Sequence, residues 1–238
     1  MNDLLGFATI SKARLFHTLN RGISMPSEFS RLLPDARAFF NELAQDNSRD
    51  FFLANKPRYE ADLRAPALAM LDTISADLQR AHGATPTQKL FRPHRDVRFS
   101  KDKTPYHLHL HMLWSTPPVG WFLGIGRDYL SVGGGVMGFD KDGLIDWREA
   151  VDGPKGETLA AIISDLQSKG ARLDEPDLKR VPAPYDKDHP QGDLLRRKSM
   201  TVWFDLSDAD VTKHGLHSAT MSVFDTLTPL QRILQKIL

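Results

Sequence analysis

The densest chemistry in this sequence lies between Phe91 and Tyr106, where Arg95, Asp96, Arg98, Lys101, Asp102 and Lys103 crowd one short stretch. Arginine presents a planar fork that suits a carboxylate or a phosphate, and lysine adds a compact charge. Arg95, Arg98, Lys101 and Lys103 are therefore candidate anion ligands, with Asp96 and Asp102 to orient them. The competing reading is structural, because arginines and aspartates so interleaved can pair with each other and pin a loop. From Lys89 to Lys103 six basic residues stand against two acidic ones, and from Lys179 to Lys198 six stand against three. The second segment contributes Lys179, Arg180, Arg196 and Arg197. Net charge is only +1, so the two segments hold the basic excess of an otherwise acidic body. If they meet, with Gly133, Gly134 and Gly135 as a close-approach floor, they form a basic cleft for a small anion.

Histidines supply the second candidate. His107, His109 and His111 alternate with Leu108, Leu110, Met112 and Trp114. In a strand such residues share one face, so the three imidazoles are neighbours that could ligate a metal for hydrolysis, with His94 nearby. Same-face residues on one strand stand roughly 6.5–7 Å apart, which strains three ligands on one ion, and a half-exposed polar face is the simpler reading. Ser100 beside Lys101 is a weak nucleophile candidate with no orienting third group. Phosphate-loop, zinc-protease, nucleophile-elbow and dinucleotide fingerprints are absent. Aromatic residues near the basic segments (Phe91, Phe99, Tyr106, Tyr185) could stack on nucleic-acid bases, but the near-neutral charge favours a small anionic ligand over a polyanion.

These residues need elements to hold them. With 238 residues, 41% hydrophobic and 26% charged, the chain reads as one soluble globular domain. It has no cysteine, no apolar run of membrane-spanning length and no signal-peptide pattern, which fits the cytoplasm. Residues 1–28 look like an extension, with Met25 as an alternative start and a short helix at 10–19 as the other reading. Pro34 opens a helix with Ala36, Phe39, Phe40 and Leu43 on one side, Ser48 caps a second, and Pro57 and Pro66 divide the next stretch. Leu68, Leu71, Ile74 and Leu78 mark a helix that Gly83 ends. The period then changes to two. A strand at 108–114 ends at Pro117-Pro118, a second covers 121–126, Arg127-Asp128 forms a tight turn, and a third covers 129–137. Helices at 144–151 and 158–168, a proline-rich connection at 174–190, a strand at 200–206 and helices from Leu216 and from Pro229 complete the chain.

Asn47-Ser48-Arg49-Asp50-Phe51-Phe52, the run from Arg92 to Tyr106 (R-D-x-R-F-S-K-D-K-x-P-Y), Gly134 to Gly138 with Arg148, and the block from Leu178 to Lys198 resemble, in order, the motifs of domain of unknown function 2461. The resemblance covers about 29–238. It implies an α+β domain and brings no catalytic residue with it. The family often has lysine after the Pro-Tyr pair, where His107 stands here. The expected architecture is a single α+β domain, a mostly antiparallel meander covered by the N- and C-terminal helices.

Overall fold

The computed structural model describes residues 29–238, so the expected extension at 1–28 lies outside the described residues. Helix α1 (Leu32–Gln45) starts two residues before Pro34, which still sits in the first turn where its missing N–H costs nothing. It buries Leu32, Leu33, Ala36, Phe39, Phe40 and Leu43. Ser48 caps α2 (Arg49–Arg58) by accepting from the Phe51 amide at 3.1 Å. The prolines expected to break the next stretch do not. Helix α2 runs through a π-helical turn (Tyr59–Arg64) directly into α3 (Ala65–His82). Pro57 strands the carbonyl of Leu53, but that residue is exposed and water can serve it. The Ala65 amide reaches back five residues to Glu60. This wider turn opens the helix where the Pro66 ring would press on the Asp62 carbonyl. Gly83 closes α3 in the left-handed conformation, φ 78°.

Five antiparallel strands follow in sequential order: β1 (Thr87–Leu90), β2 (His109–Thr116), β3 (Val119–Gly126), β4 (Leu130–Val136) and β5 (Met200–Asp205). Strand β1 was not evident from the pattern: it is short, exposed and polar. Between β4 and β5 come α4 (Lys141–Asp152), α5 (Lys155–Ser168) and the single turn α6 (Gly192–Leu195). After β5, Ser207 and Asp210 form a capping box for α7 (Asp208–His214). Helix α8 (Leu216–Leu234) is continuous through Pro229, where a break was expected. The carbonyl that Pro229 strands belongs to Asp225, which faces solvent.

One sheet face is apolar and covered. Leu110, Met112 and Trp114 are buried there, with Leu108 packed at the margin, so the alternation at 108–114 was in register. The Trp114 indole donates to the Leu71 carbonyl of α3 at 2.9 Å and meets Phe224 of α8 edge-on. Gly134 brings β4 against α8: a side chain there would stand 2.5 Å from Gln231 Nε2 and 3.2 Å from Leu227. Gln231 in turn donates to the Gly120 carbonyl at 2.8 Å. The opposite face carries His107, His109 and His111. Strand pairing aligns His111, Gly124, Ser131 and Asp205 in one row, and Leu113, Phe122, Gly133 and Trp203 in the next. The result is a single α+β domain with an open antiparallel sheet. Among the described residues no helix is long and apolar enough to cross a membrane.

Candidate functional site

The first basic block forms the loop between β1 and β2. Its two arms pair like an irregular ribbon: Arg95 N–H donates to the Pro105 carbonyl, and His107 N–H to the Pro93 carbonyl, both at 2.8 Å. Asn47 pins the ribbon from the junction of α1 and α2. Its side chain donates to the Tyr106 carbonyl at 3.0 Å and accepts from the Tyr106 amide at 3.1 Å. Phe52 stacks on Tyr106 with ring centroids 4.1 Å apart. The Asn-Ser and Pro-Tyr motifs, 59 residues apart, therefore meet as one structural joint.

Within this loop the charges satisfy one another. Arg95 donates to Asp102 at 2.6 Å and to the Thr104 carbonyl at 3.0 Å. Hydrogen bonds from the Thr104 amide and hydroxyl, and then from Arg95, hold the Asp102 carboxyl down at about 2. Arg98 grips Asp96 through Nε at 2.9 Å and Nη2 at 2.6 Å. Lys103 donates to the Val97 carbonyl at 2.9 Å. Lys101 has no hydrogen-bond or ion-pair partner among the described residues. Ser100 sits in a turn closed by its own amide onto the Val97 carbonyl, and no base is bonded to its hydroxyl among the described residues.

The two basic segments do not converge. His109, where the first loop enters β2, pairs with Gly126, whereas the second segment enters β5 at Met200, opposite Val136. Those are opposite ends of the sheet, and β1 and β5 are its opposite edges. Nor do the three glycines floor a basic cleft. Gly134 faces α8, Gly133 lies under the Trp203 indole, and Gly135, at φ 128°, abuts the Met200 carbonyl. Close approach of a helix thus accounts for Gly134 alone.

The second segment makes a cleft by itself, about 1050 Å³, against α5. Lys179, Arg180, Lys187, Arg196 and Arg197 line it, with Asp193 as its one carboxylate. Arg196 donates to Asp193 at 2.5 Å and to the Leu178 carbonyl at 3.3 Å. Arg197 donates to the Asp174 carbonyl at 2.7 Å, while its buried Nε has no partner. Burial lowers the Arg197 pKa against the pull of Asp193, Asp177, Asp174 and Glu175. Lys179 and Arg180 have no side-chain partner among the described residues.

The histidines stack and do not converge. His109 and His111 lie 3.7 Å apart at 9°, and His107 covers His109 at 4.6 Å. Ring nitrogen lone pairs lie in the ring plane, so parallel imidazoles cannot aim at one ion. Among the described residues no group of three or more His, Cys, Asp or Glu side chains is placed to hold a metal. Burial first, then the neighbouring imidazoles, push His109 down to about 3, and burial and His107 push His111 down to about 4. His111 Nε2 sits 2.6 Å from the Tyr129 hydroxyl. His94 packs on Phe52 and Tyr106, away from the stack.

A further cleft, about 1210 Å³, opens on the histidine-bearing face and was not anticipated. Its residues come from β2 to β5 and the loops beside them, with Arg37 from within α1 and Asp208 from the start of α7, and include His111, Tyr129, Arg172, Trp203 and Asp205. The available signal was Gly120, Gly124 and Gly126 alternating in β3, together with Trp203 and Asp205 two apart in β5.

The family model described as "Conserved hypothetical protein (DUF2461)" matches residues 35–232, and the chain belongs to that family. No curated protein and no solved structure matches.

Proposed function

We propose that this protein binds a small anion, a ligand bearing a phosphate or carboxylate group, in the cleft formed by the second basic segment. The supporting observation is the charge imbalance of that cleft: five cationic side chains and one carboxylate line it. Like charges so gathered repel, and an anion among them relieves the repulsion. Lys179 and Arg180 are at hand for it, since neither is engaged by a side-chain partner among the described residues. The Asp174 carbonyl holds Arg197 without neutralising it, whereas Arg196, held by the Leu178 carbonyl, is also paired with Asp193. The cleft is larger than an inorganic anion needs, and Ala160 and Ile163 of α5 give it an apolar wall, so the ligand carries an organic part. Arg95, Arg98, Lys101 and Lys103 lie outside this site.

Thermal unfolding in phosphate and in citrate, against sodium chloride of equal ionic strength, tests the reading. A ligand at about 100 times its Kd adds about 2.7 kcal/mol, which raises Tm by about 5–10 °C in a domain of this size. The increment should vanish in Lys179→Gln and Arg180→Gln and persist in Arg98→Gln. An equal rise in chloride, or one retained in both cleft variants, refutes the site. Tighter binding of duplex DNA, falling steeply with salt, would replace the small ligand with a polyanion.

A further inference from the structure

The histidine-bearing face of the sheet carries a second, chemically different cleft. Glycines decide its shape. A side chain at Gly133 would stand 2.5 Å from the Trp203 indole, and one at Gly124 would meet the His111 and Tyr129 rings at 3.2 Å. Without those side chains, the rings lie down on the backbone and give the cleft an aromatic floor. Phe91 and Tyr129, each 38% exposed, line it near His111, while Trp203 lies farther across the sheet with Phe122 packed 5.5 Å from it.

Its polar groups are fixed in advance. Asp205 accepts from Arg172 Nε at 2.6 Å and Nη2 at 3.1 Å, and from the Ser131 hydroxyl at 2.5 Å. Asp208 is held by Arg37 Nη1, 2.5 and 2.6 Å from its two oxygens. Carboxylates gripped in this way are held in one orientation, and the Arg172 hydrogen bonds lower the Asp205 pKa. Of roughly four lone-pair sites each, Asp205 keeps about one and Asp208 about two. Arg172 and Arg37 likewise retain N–H groups. The lining has three arginines and four aspartates, Asp128 and Asp174 among them, so its net charge is −1 and an anionic ligand is disfavoured. At about 1210 Å³ it lies at the upper end of small-molecule sites.

We infer that this cleft binds a neutral polyhydroxylated ring compound, a short saccharide. The apolar C–H face of such a ring rests on the aromatic floor. Its hydroxyls, each both donor and acceptor, donate to Asp205 and Asp208 and accept from Arg172 and Arg37. A nucleotide would bring phosphates to a site with excess carboxylate, and an aliphatic ligand would leave the ion pairs unused. This site shares no lining residue with the anion cleft, although Asp174 here holds Arg197 there through its carbonyl.

Trp203 supplies a selective reporter, because the other three tryptophans, Trp114, Trp121 and Trp147, are at most 1% exposed. Acrylamide quenching of the whole protein is to be measured with maltose, cellobiose and N,N′-diacetylchitobiose, with sodium phosphate and adenosine as comparison probes. At saturation one of the disaccharides should lower the quenching constant about twofold, since a ligand in such a cleft covers most of the ring it rests on. Protection should be lost in Asp205→Asn and weakened in Asp208→Asn, and be unchanged in Lys179→Gln and Arg180→Gln, which separates this site from the anion cleft. Asp208 lies at the exposed rim, so its variant decides the matter if Asp205→Asn does not fold. The inference is overturned if no disaccharide protects Trp203, if protection survives both aspartate substitutions, or if adenosine or phosphate protects better than every disaccharide.

Discussion

Replacing Asn47 by alanine should loosen the signature loop and destabilise the whole domain. The Asn47 side chain acts as a surrogate backbone for Tyr106, with one bond given at 3.0 Å and one received at 3.1 Å. Each bond is worth about 1 kcal/mol net, and a buried group left without a partner costs about 1–3 kcal/mol. Tyr106 is only 4% exposed, whereas Asn47 is part-buried, so water recovers some of the loss. The sum is about 2–4 kcal/mol. For a domain of this size each kcal/mol moves Tm by about 2–4 °C, giving a fall of about 5–15 °C. Urea and thermal unfolding measure it, and hydrogen exchange at the Tyr106, Arg95 and His107 amides locates it. Asn47→Asp keeps the acceptor but loses the donor and sets a charge against a carbonyl, so it should be at least as harmful at neutral pH. An Asn47→Ala protein that melts within about 2 °C of wild type, with the Tyr106 amide still protected, would refute the joint.

Two further outcomes are expected. His109 and His111 have folded-state pKa values of about 3 and about 4, below the unfolded value, so the unfolded chain binds more protons between pH 6.5 and 4. Stability should therefore fall as pH drops through that window. The slope should flatten in His109→Gln/His111→Gln, and an unchanged slope in urea titrations would count against neutral stacked imidazoles. Gly135→Ala combines an unfavourable φ of 128° with a side chain driven into the Met200 carbonyl, and should cost about 3 kcal/mol or more. A Gly135→Ala protein as stable as wild type in urea would show that β4 and β5 can separate without penalty.

Local signals carried much of the fold. The two-residue alternation at 108–114 put Leu110, Met112 and Trp114 inside and the histidines on the other face, because a strand's side chains must alternate. Ser48 and Gly83 end helices through bonds and torsions that span a few residues. Short turns between successive strands required an antiparallel meander. Even the self-pairing of Arg95 with Asp102 and Arg98 with Asp96 was legible as an alternative, since the partners lie within seven residues.

Tertiary structure decided the rest. Pro57, Pro66 and Pro229 are local break signals, but packing of the flanking turns outweighs one lost bond wherever the stranded carbonyl reaches water or a π turn relieves the ring. Strand β1 has no apolar pattern and exists through its pairing with β2. The separation of the two basic segments follows from sheet order and register, which composition does not encode. The second cleft was hidden for the same reason. His111, Gly124, Ser131 and Asp205 lie far apart in sequence and become one row only when four strands align. Periods, caps and turns are local and survive in the sequence. A site assembled across strands depends on long-range register, and that is fixed only when the sheet closes against α3 and α8.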